Sequence, residues 1–123
     1  MWSVEKSAPS NCVFCRITAG ELPAERVFED RDVLAFRDIR PQAPTHVLVI
    51  PKQHLSSLQE LEDAHLAGAL LLAASRVARG AALDQGWRLI SNTGEHAGQE
   101  VAHLHLHVLG GRALGRMLSP PRT

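Results

Sequence analysis

The chain has 123 residues and a mass of 13.4 kDa, enough for one domain and not two. At 45% hydrophobic and 21% charged it can bury a core of its own and is not compositionally disordered. Thirteen basic and thirteen acidic residues cancel, which excludes the electrostatic footprint of a nucleic-acid binder or a polybasic membrane protein but leaves room for a nucleotide-sized partner.

Residues 1–10 hold little to bury and read as a loose leader, so the domain is expected over 11–118, with 119–123 as a tail. No stretch approaches the roughly 20 apolar residues of a membrane helix, and no leader directs the chain out of the cytoplasm. Asn11 is placed to cap a short helix running to Ala19, with Val13, Phe14 and Ile17 on one face and Gly20 ending it. Val27-Phe28 and Val33 to Phe36 flank a polar turn and read as a hairpin. A proline-bearing loop follows, then the apolar run from His46 to Ile50, read as a buried central strand. Helical spacing of Leu66, Leu70, Ala73, Val77 and Ala81 predicts one long helix between Ser56 and Gln85, ended by Gly86. Trp87 to Asn92 reads as a strand, Thr93 to Gln99 as a glycine-bearing loop, and Val101 to Leu109 as a final strand. Strands grouped around one long helix without βαβ alternation predict an α+β fold with a mainly antiparallel sheet.

Seven histidines in so short a chain are the unusual feature, and three of them, His103, His105 and His107, alternate with Leu104 and Leu106. On a strand that spacing sets three imidazoles on one face while Leu104, Leu106 and Val108 turn to the core. Two chemistries suit such a row. The imidazoles can chelate a transition metal, or one can attack an electrophile while its neighbours orient it and neutralise charge. The loop from Asn92 to Glu100 lies immediately upstream, and its backbone N–H groups could face an anion, which favours a phosphate beside the histidines. His65 and His96 read as surface residues. Cys12 and Cys15 are too close in sequence to staple a secreted domain, so a reducing compartment is expected.

The segment from Gly98 to Arg112, with His103-Leu104-His105-Leu106-His107-Val108-Leu109 at its centre, resembles the signature of the histidine triad (HIT) family of nucleotide hydrolases. The bacterial phosphoramidase branch is the best fit. Ala35 to Lys52 and Gly86 to Asn92 are similar to that branch in the same order, so the resemblance spans residues 11–118. Gly110-Gly111-Arg112 separates the chain from the dinucleoside polyphosphate hydrolase branch, and His107, where a glutamine would stand, separates it from the nucleotidyltransferases.

The resemblance implies a HIT-like fold and a homodimer that cleaves the P–N bond of adenosine or guanosine 5′-monophosphoramidates. His105 is implied as the nucleophile, its other ring nitrogen donating to the carbonyl of His103, with His107 and His46 assisting through charge and proton delivery. A neutral imidazole suits this work because it both attacks and leaves near neutral pH. Asp38 matches the position that accepts from the ribose hydroxyls, although locally it is equally good as a turn former. Val13, Phe14, Ile17, Phe36 and Ile39 match the positions that sandwich the purine, and on their own read as ordinary core residues. Asn92 and the backbone of Gly98, Gln99, Glu100 and Val101 match phosphate-contacting positions. Some phosphoramidases carry serine at position 100, and a carboxylate there repels phosphate, so the contact falls to the backbone N–H.

Some family members hold structural zinc with a Cys2His2 set, which here is Cys12, Cys15, His54 and His103. The alternative is a pair of buried free thiols with His54 in a loop. Three other functional readings stay open: hydrolysis of dinucleoside polyphosphates or other nucleoside phosphates, a nucleotide-binding regulatory dimer with weak catalysis, and a metal protein ligated by the whole triad.

Overall fold

Five strands, β1 (Arg26–Glu29), β2 (Val33–Arg37), β3 (Thr45–Pro51), β4 (Trp87–Ile90) and β5 (Leu106–Gly110), pair antiparallel in the order β1-β2-β3-β5-β4. The computed structural model describes residues 11–118, so the expectations for 1–10 and 119–123 lie outside the described residues. Helix α1 (Val13–Thr18) covers one face of the sheet and α2 (Ala64–Gly80) the other. The expected α+β, antiparallel architecture is the one observed.

The period-two alternation of side chains explains the two cores. Val33, Ala35, Val47 and Val49 face α2 and pack on Leu66, Leu70, Ala73 and Ala74. Leu34, Phe36, Leu48 and Ile50 face the opposite way and pack on Phe14, Ile17 and the two cysteines of the α1 segment. The continuous apolar runs of β2 and β3 are therefore strands buried on both sides.

Element ends differ from the expectations, each for a local reason. Helix α1 is capped by Cys12 rather than Asn11, and its thiol accepts from Cys15 N–H at 3.3 Å. The long helix starts at Ala64 because Asp63, not Ser56, accepts from the N–H groups of His65 and Leu66. Ser57 instead starts a single 3₁₀ turn over Leu58–Glu60. The helix closes at Gly80, six residues before Gly86, leaving Ala81 exposed instead of on the buried stripe. Strand β4 stops at Ile90, two residues short of Asn92, and the loop after it contains a 3₁₀ turn at Glu95–Ala97. The final strand begins only at Leu106, so His103 and His105 stand outside the ladder. Leu104, Leu106 and Val108 nevertheless all enter the α2-side core, as the alternation requires.

The closure of α2 is a Schellman motif: Leu83 N–H donates to Ala78 O and Ala82 N–H to Arg79 O. Ala82 occupies the left-handed position, at φ 57°, where glycine is normally found. A Cβ there costs about 1–2 kcal/mol, of which the extra unfolded-state freedom of glycine returns about 0.5–1. Ala82 is exposed and makes no core contact. Ala82→Gly is therefore expected to raise stability by about 0.5–1 kcal/mol in urea unfolding, and an unchanged or lower midpoint would contradict the strain.

Candidate active site

The α1-side face of the sheet carries the chemistry. In the β3–β5 register His46 lies opposite Leu109 and Leu48 opposite His107, making His46 and His107 diagonal neighbours on one face. They border a cleft of about 510 Å³ that also takes in Phe14, Asp38, Asn92, Gly98, Glu100, Val101 and His105. Nine of the expected residues thus come together from α1, strands β3 and β5, the end of β2, and the 92–105 segment.

Others stand elsewhere. His103 is fully buried beneath the cleft. Ile17 and Phe36 belong to the core under it, Phe36 meeting Phe14 edge-to-face at 5.6 Å between ring centroids. Val13 is exposed on α1, and Ile39 is 88% exposed outside the cleft. Gln99 ties the loop together: its Oε1 accepts from Gly94 N–H and its Nε2 donates to Ser56 O and Val101 O. His65 and His96 are on the surface, as expected.

The upstream loop divides its donors. Gly98 N–H bonds to Glu95 O and Gln99 N–H to Gly94 O, whereas Glu100 N–H and Val101 N–H have no protein acceptor among the described residues. Gly98 allows the turn by taking φ 77°. Two backbone donors without a protein acceptor, on residues that line the cleft, are what an anion needs.

Hydrogen bonds set the tautomers of the imidazoles. Gln42 N–H donates to His46 Nδ1 at 3.0 Å, so neutral His46 carries its proton on Nε2. That proton points at His107 Nδ1, 2.9 Å away, while Asp38 Oδ2 lies 3.5 Å from the same nitrogen. His107 consequently carries its own proton on Nε2. Burial lowers the pKa of His46, and burial with repulsion from His105 and His46 brings that of His107 to about 4, so both are neutral at pH 7 in the free site. His105 Nδ1 donates to His103 O at 2.7 Å, which leaves Nε2 of the neutral ring as the lone pair. The carbonyl partner is the one the resemblance implied.

Asp38 fills the turn-forming role weighed for it. Oδ1 accepts from Arg40 N–H at 2.8 Å and closes a turn, while Oδ2 is left on the His46 side of the cleft. The cleft is also lined by Arg40, Gln42 and Leu48, which sequence reasoning missed. The available signal was topological: a short loop joining Asp38 to His46 must border whatever those two residues share.

A second cluster lies below the nucleophile. Cys12 Sγ and Cys15 Sγ stand 3.3 and 3.5 Å from His103 Nδ1, and His54 Nδ1 stands 3.2 Å from both Cys15 Sγ and His103 Nδ1. All four donor atoms lie within 4.8 Å of one another. Zinc bonds of about 2.0–2.3 Å imply tetrahedral donor separations of about 3.3–3.8 Å, so the set fits that ion closely. His103 Nε2 donates to Pro51 O at 2.9 Å, freeing Nδ1 for ligation, the usual outer contact of a metal-bound histidine. Burial pushes the Cys15 thiol up to about 12, an effect that a bound divalent cation reverses by favouring the thiolate.

Asp38, His46 and His107 also gather ligand-type atoms. Here the donors are wrong for a metal: His46 Nδ1 receives a backbone N–H, so Nε2 holds the proton and has no lone pair to give. The reading of the triad as a metal chelate fails at His103, whose Nδ1 faces Cys12, Cys15 and His54 instead of the other two triad rings.

The fold and site together describe an antiparallel α+β domain that sets alternating histidines beside an anion-receptive loop. Residues 19–114 match the HIT domain, and the chain belongs to the HIT family. It is 49% identical over 119 residues to a 13.2 kDa HIT-like protein of Azospirillum brasilense, covering 93% of this chain and 97% of that one. A HIT family hydrolase from Clostridium thermocellum superposes with a TM-score of 0.87 at 43% identity, covering 90% of this chain and 100% of the other. A histidine triad nucleotide-binding protein from Candida albicans superposes with a TM-score of 0.77 at 29% identity, covering 91% and 87% respectively.

Proposed function

We propose that this protein is a purine nucleoside phosphoramidase that cleaves the P–N bond of adenosine or guanosine 5′-monophosphoramidates through a nucleotidyl-histidine on His105. The observation that carries the reading is the His105 Nδ1 to His103 O hydrogen bond, which presents Nε2 as the nucleophilic lone pair. The relatedness to a HIT family hydrolase and a histidine triad nucleotide-binding protein supports it.

In this mechanism Glu100 and Val101 N–H hold the phosphate, Asn92 and Gly98 shape its site, and Asp38 Oδ2 accepts from the ribose. Phe14 forms the base wall. An anionic phosphate against His107 Nε2 raises the pKa of that ring, so a proton enters with the substrate. His105 Nε2 then bonds to phosphorus as the P–N bond breaks, and the amine leaves with the proton from His107. Retained Nδ1–H keeps the nucleotidyl-imidazole cationic and therefore a good leaving group. Water attacks phosphorus, gives its proton to His107, and releases the nucleoside monophosphate and free His105. The Cys12–Cys15–His54–His103 set holds structural zinc, which takes no part in these steps, and the free thiols suit a reducing, cytoplasmic setting. Brief incubation with adenosine 5′-phosphoramidate followed by acid quench and peptide mass spectrometry tests the proposal. An adenylyl adduct on His105 is expected; turnover without an adduct on any histidine would overturn it.

The working unit in this reading is a homodimer. Strand β4 is a sheet edge, and exposed Leu71 and Leu89 line an apolar groove between α2 and β4. A Cβ on Gly68 would meet nothing within 4 Å in the single chain, which leaves room for a second helix. Light scattering at micromolar concentration is expected to report twice 13.4 kDa. A monomeric mass with full activity would exclude dimerisation from the working fold.

A further inference from the structure

The orienting carbonyl of the nucleophile is not held by the sheet. Strand β5 begins at Leu106, so the His103–Leu104 peptide has no ladder partner and must be fixed by other contacts. On one side, Leu104 N–H donates to Leu55 O at 2.6 Å. On the other, the His103 ring is gripped by the Cys12, Cys15 and His54 cluster, and His54 is the neighbour of Leu55. The same cluster also fixes a wall of the cleft. Phe14 sits between the two cysteines in sequence, lines the cleft, and meets the rings of His103 and His105 edge-on at 5.8 and 5.2 Å.

We infer that the Cys12–Cys15–His54–His103 centre positions the nucleotide cleft: a metal ion bound there sets both the carbonyl that orients His105 and the Phe14 wall. The inference rests on the zinc reading proposed above. His103 is a positioning residue in this role, since its ring touches the centre and only its carbonyl touches the nucleophile. Its buried Nε2–H bond to Pro51 O anchors one edge of the ring, and Nδ1 faces three other donor atoms that a cation would tie together. Without the ion, the two thiols and two imidazoles meet at 3.2–3.5 Å only through hydrogen bonds that can be exchanged among the four. The His103 peptide then loosens, and with it the tautomer of His105. Contacts that orient metal ligands are typically worth about 10–100-fold in metal affinity or activity.

The test uses the full chain, loaded with zinc and then stripped with a chelator, with metal content, far-UV circular dichroism, adenosine 5′-monophosphate affinity by calorimetry, and the imidazole nitrogen NMR signals of His105 recorded in parallel. Expected on stripping are retained circular dichroism, affinity weakened at least about fivefold, and a His105 signal moving from a single Nδ1–H tautomer to a mixture, all restored by zinc. His54→Ala supplies an independent series, because it removes a ligand outside the cleft; affinity and the His105 signal should track zinc occupancy along its weaker titration curve. Failure of the chain to take up zinc at micromolar concentration would remove the zinc reading and the coupling together. Uptake of zinc with an unchanged His105 signal and unchanged affinity overturns the coupling alone. Loss of the circular dichroism signal in step with metal release would also overturn it, by making the ion a folding ligand instead of a positioning one.

Discussion

His105→Asn is expected to abolish phosphoramidate turnover, by about 10⁴-fold or more, while adenosine 5′-monophosphate binds within about tenfold of the parent. The asparagine amide can still donate toward His103 O, the bond His105 Nδ1 makes at 2.7 Å, so the local backbone keeps its partner. What disappears is the second ring nitrogen, since the amide nitrogen is delocalised and does not attack phosphorus. In the proposed mechanism binding rests on groups the substitution leaves alone: the free N–H donors of Glu100 and Val101, Asp38 and the Phe14 wall. Rapid-quench turnover and calorimetry on one preparation separate the two effects. Activity above about one per cent of parent, or a loss of binding as large as the loss of turnover, would place the nucleophile elsewhere.

The row of histidines was legible in the sequence because alternation along a strand-like segment is a strong constraint: Leu104, Leu106 and Val108 had to share a core, which put the histidines together, whereas the carbonyl that orients His105 came only from the family resemblance. The chain nevertheless enters the sheet only at Leu106, and no local pattern marks that boundary. Whether a residue pairs is decided by the neighbouring strand, and β3 ends its pairing with β5 at Val49, opposite Leu106. Helix limits were misplaced for a comparable reason. The periodicity placed the long helix between Ser56 and Gln85 without marking its first turn, which Asp63 caps where Leu66 and Leu70 enter the core. Ala82 in a glycine position defeats any rule based on residue type. The Cys pair could be joined to His54 and His103 only through the family resemblance, since 88 residues separate Cys15 from His103. Val13 and Ile39 show the reverse limit: their apolar character alone reads as core, and the described chain leaves both exposed.

Acid should destabilise the fold through His107. In the unfolded chain its imidazole takes a proton near pH 6.5, whereas in the folded protein burial and the neighbouring His105 and His46 hold that event down to about pH 4. Between those values the unfolded state binds more protons, so unfolding free energy falls as pH falls. The stabilisation is complete above pH 6.5 and is lost on the way down to 4. Two and a half units correspond to a ceiling of about 3.4 kcal/mol, which partial exposure of His107 reduces to roughly 2. His46 adds in the same direction, its burial outweighing the pull of Asp38. The histidines of the metal cluster also respond to acid, so the informative quantity is a difference: urea unfolding of parent and His107→Gln at pH 7.5 and 4.5. The glutamine variant cannot titrate, yet its amide can accept from His46 Nε2–H, now bonded to His107 Nδ1 at 2.9 Å. It is expected to lose roughly 2 kcal/mol less than the parent over that interval, whatever its stability at pH 7.5. Equal losses in the two proteins would mean that His107 titrates alike in the folded and unfolded chains, and that the neutral His46 to His107 relay is not the resting state of the site.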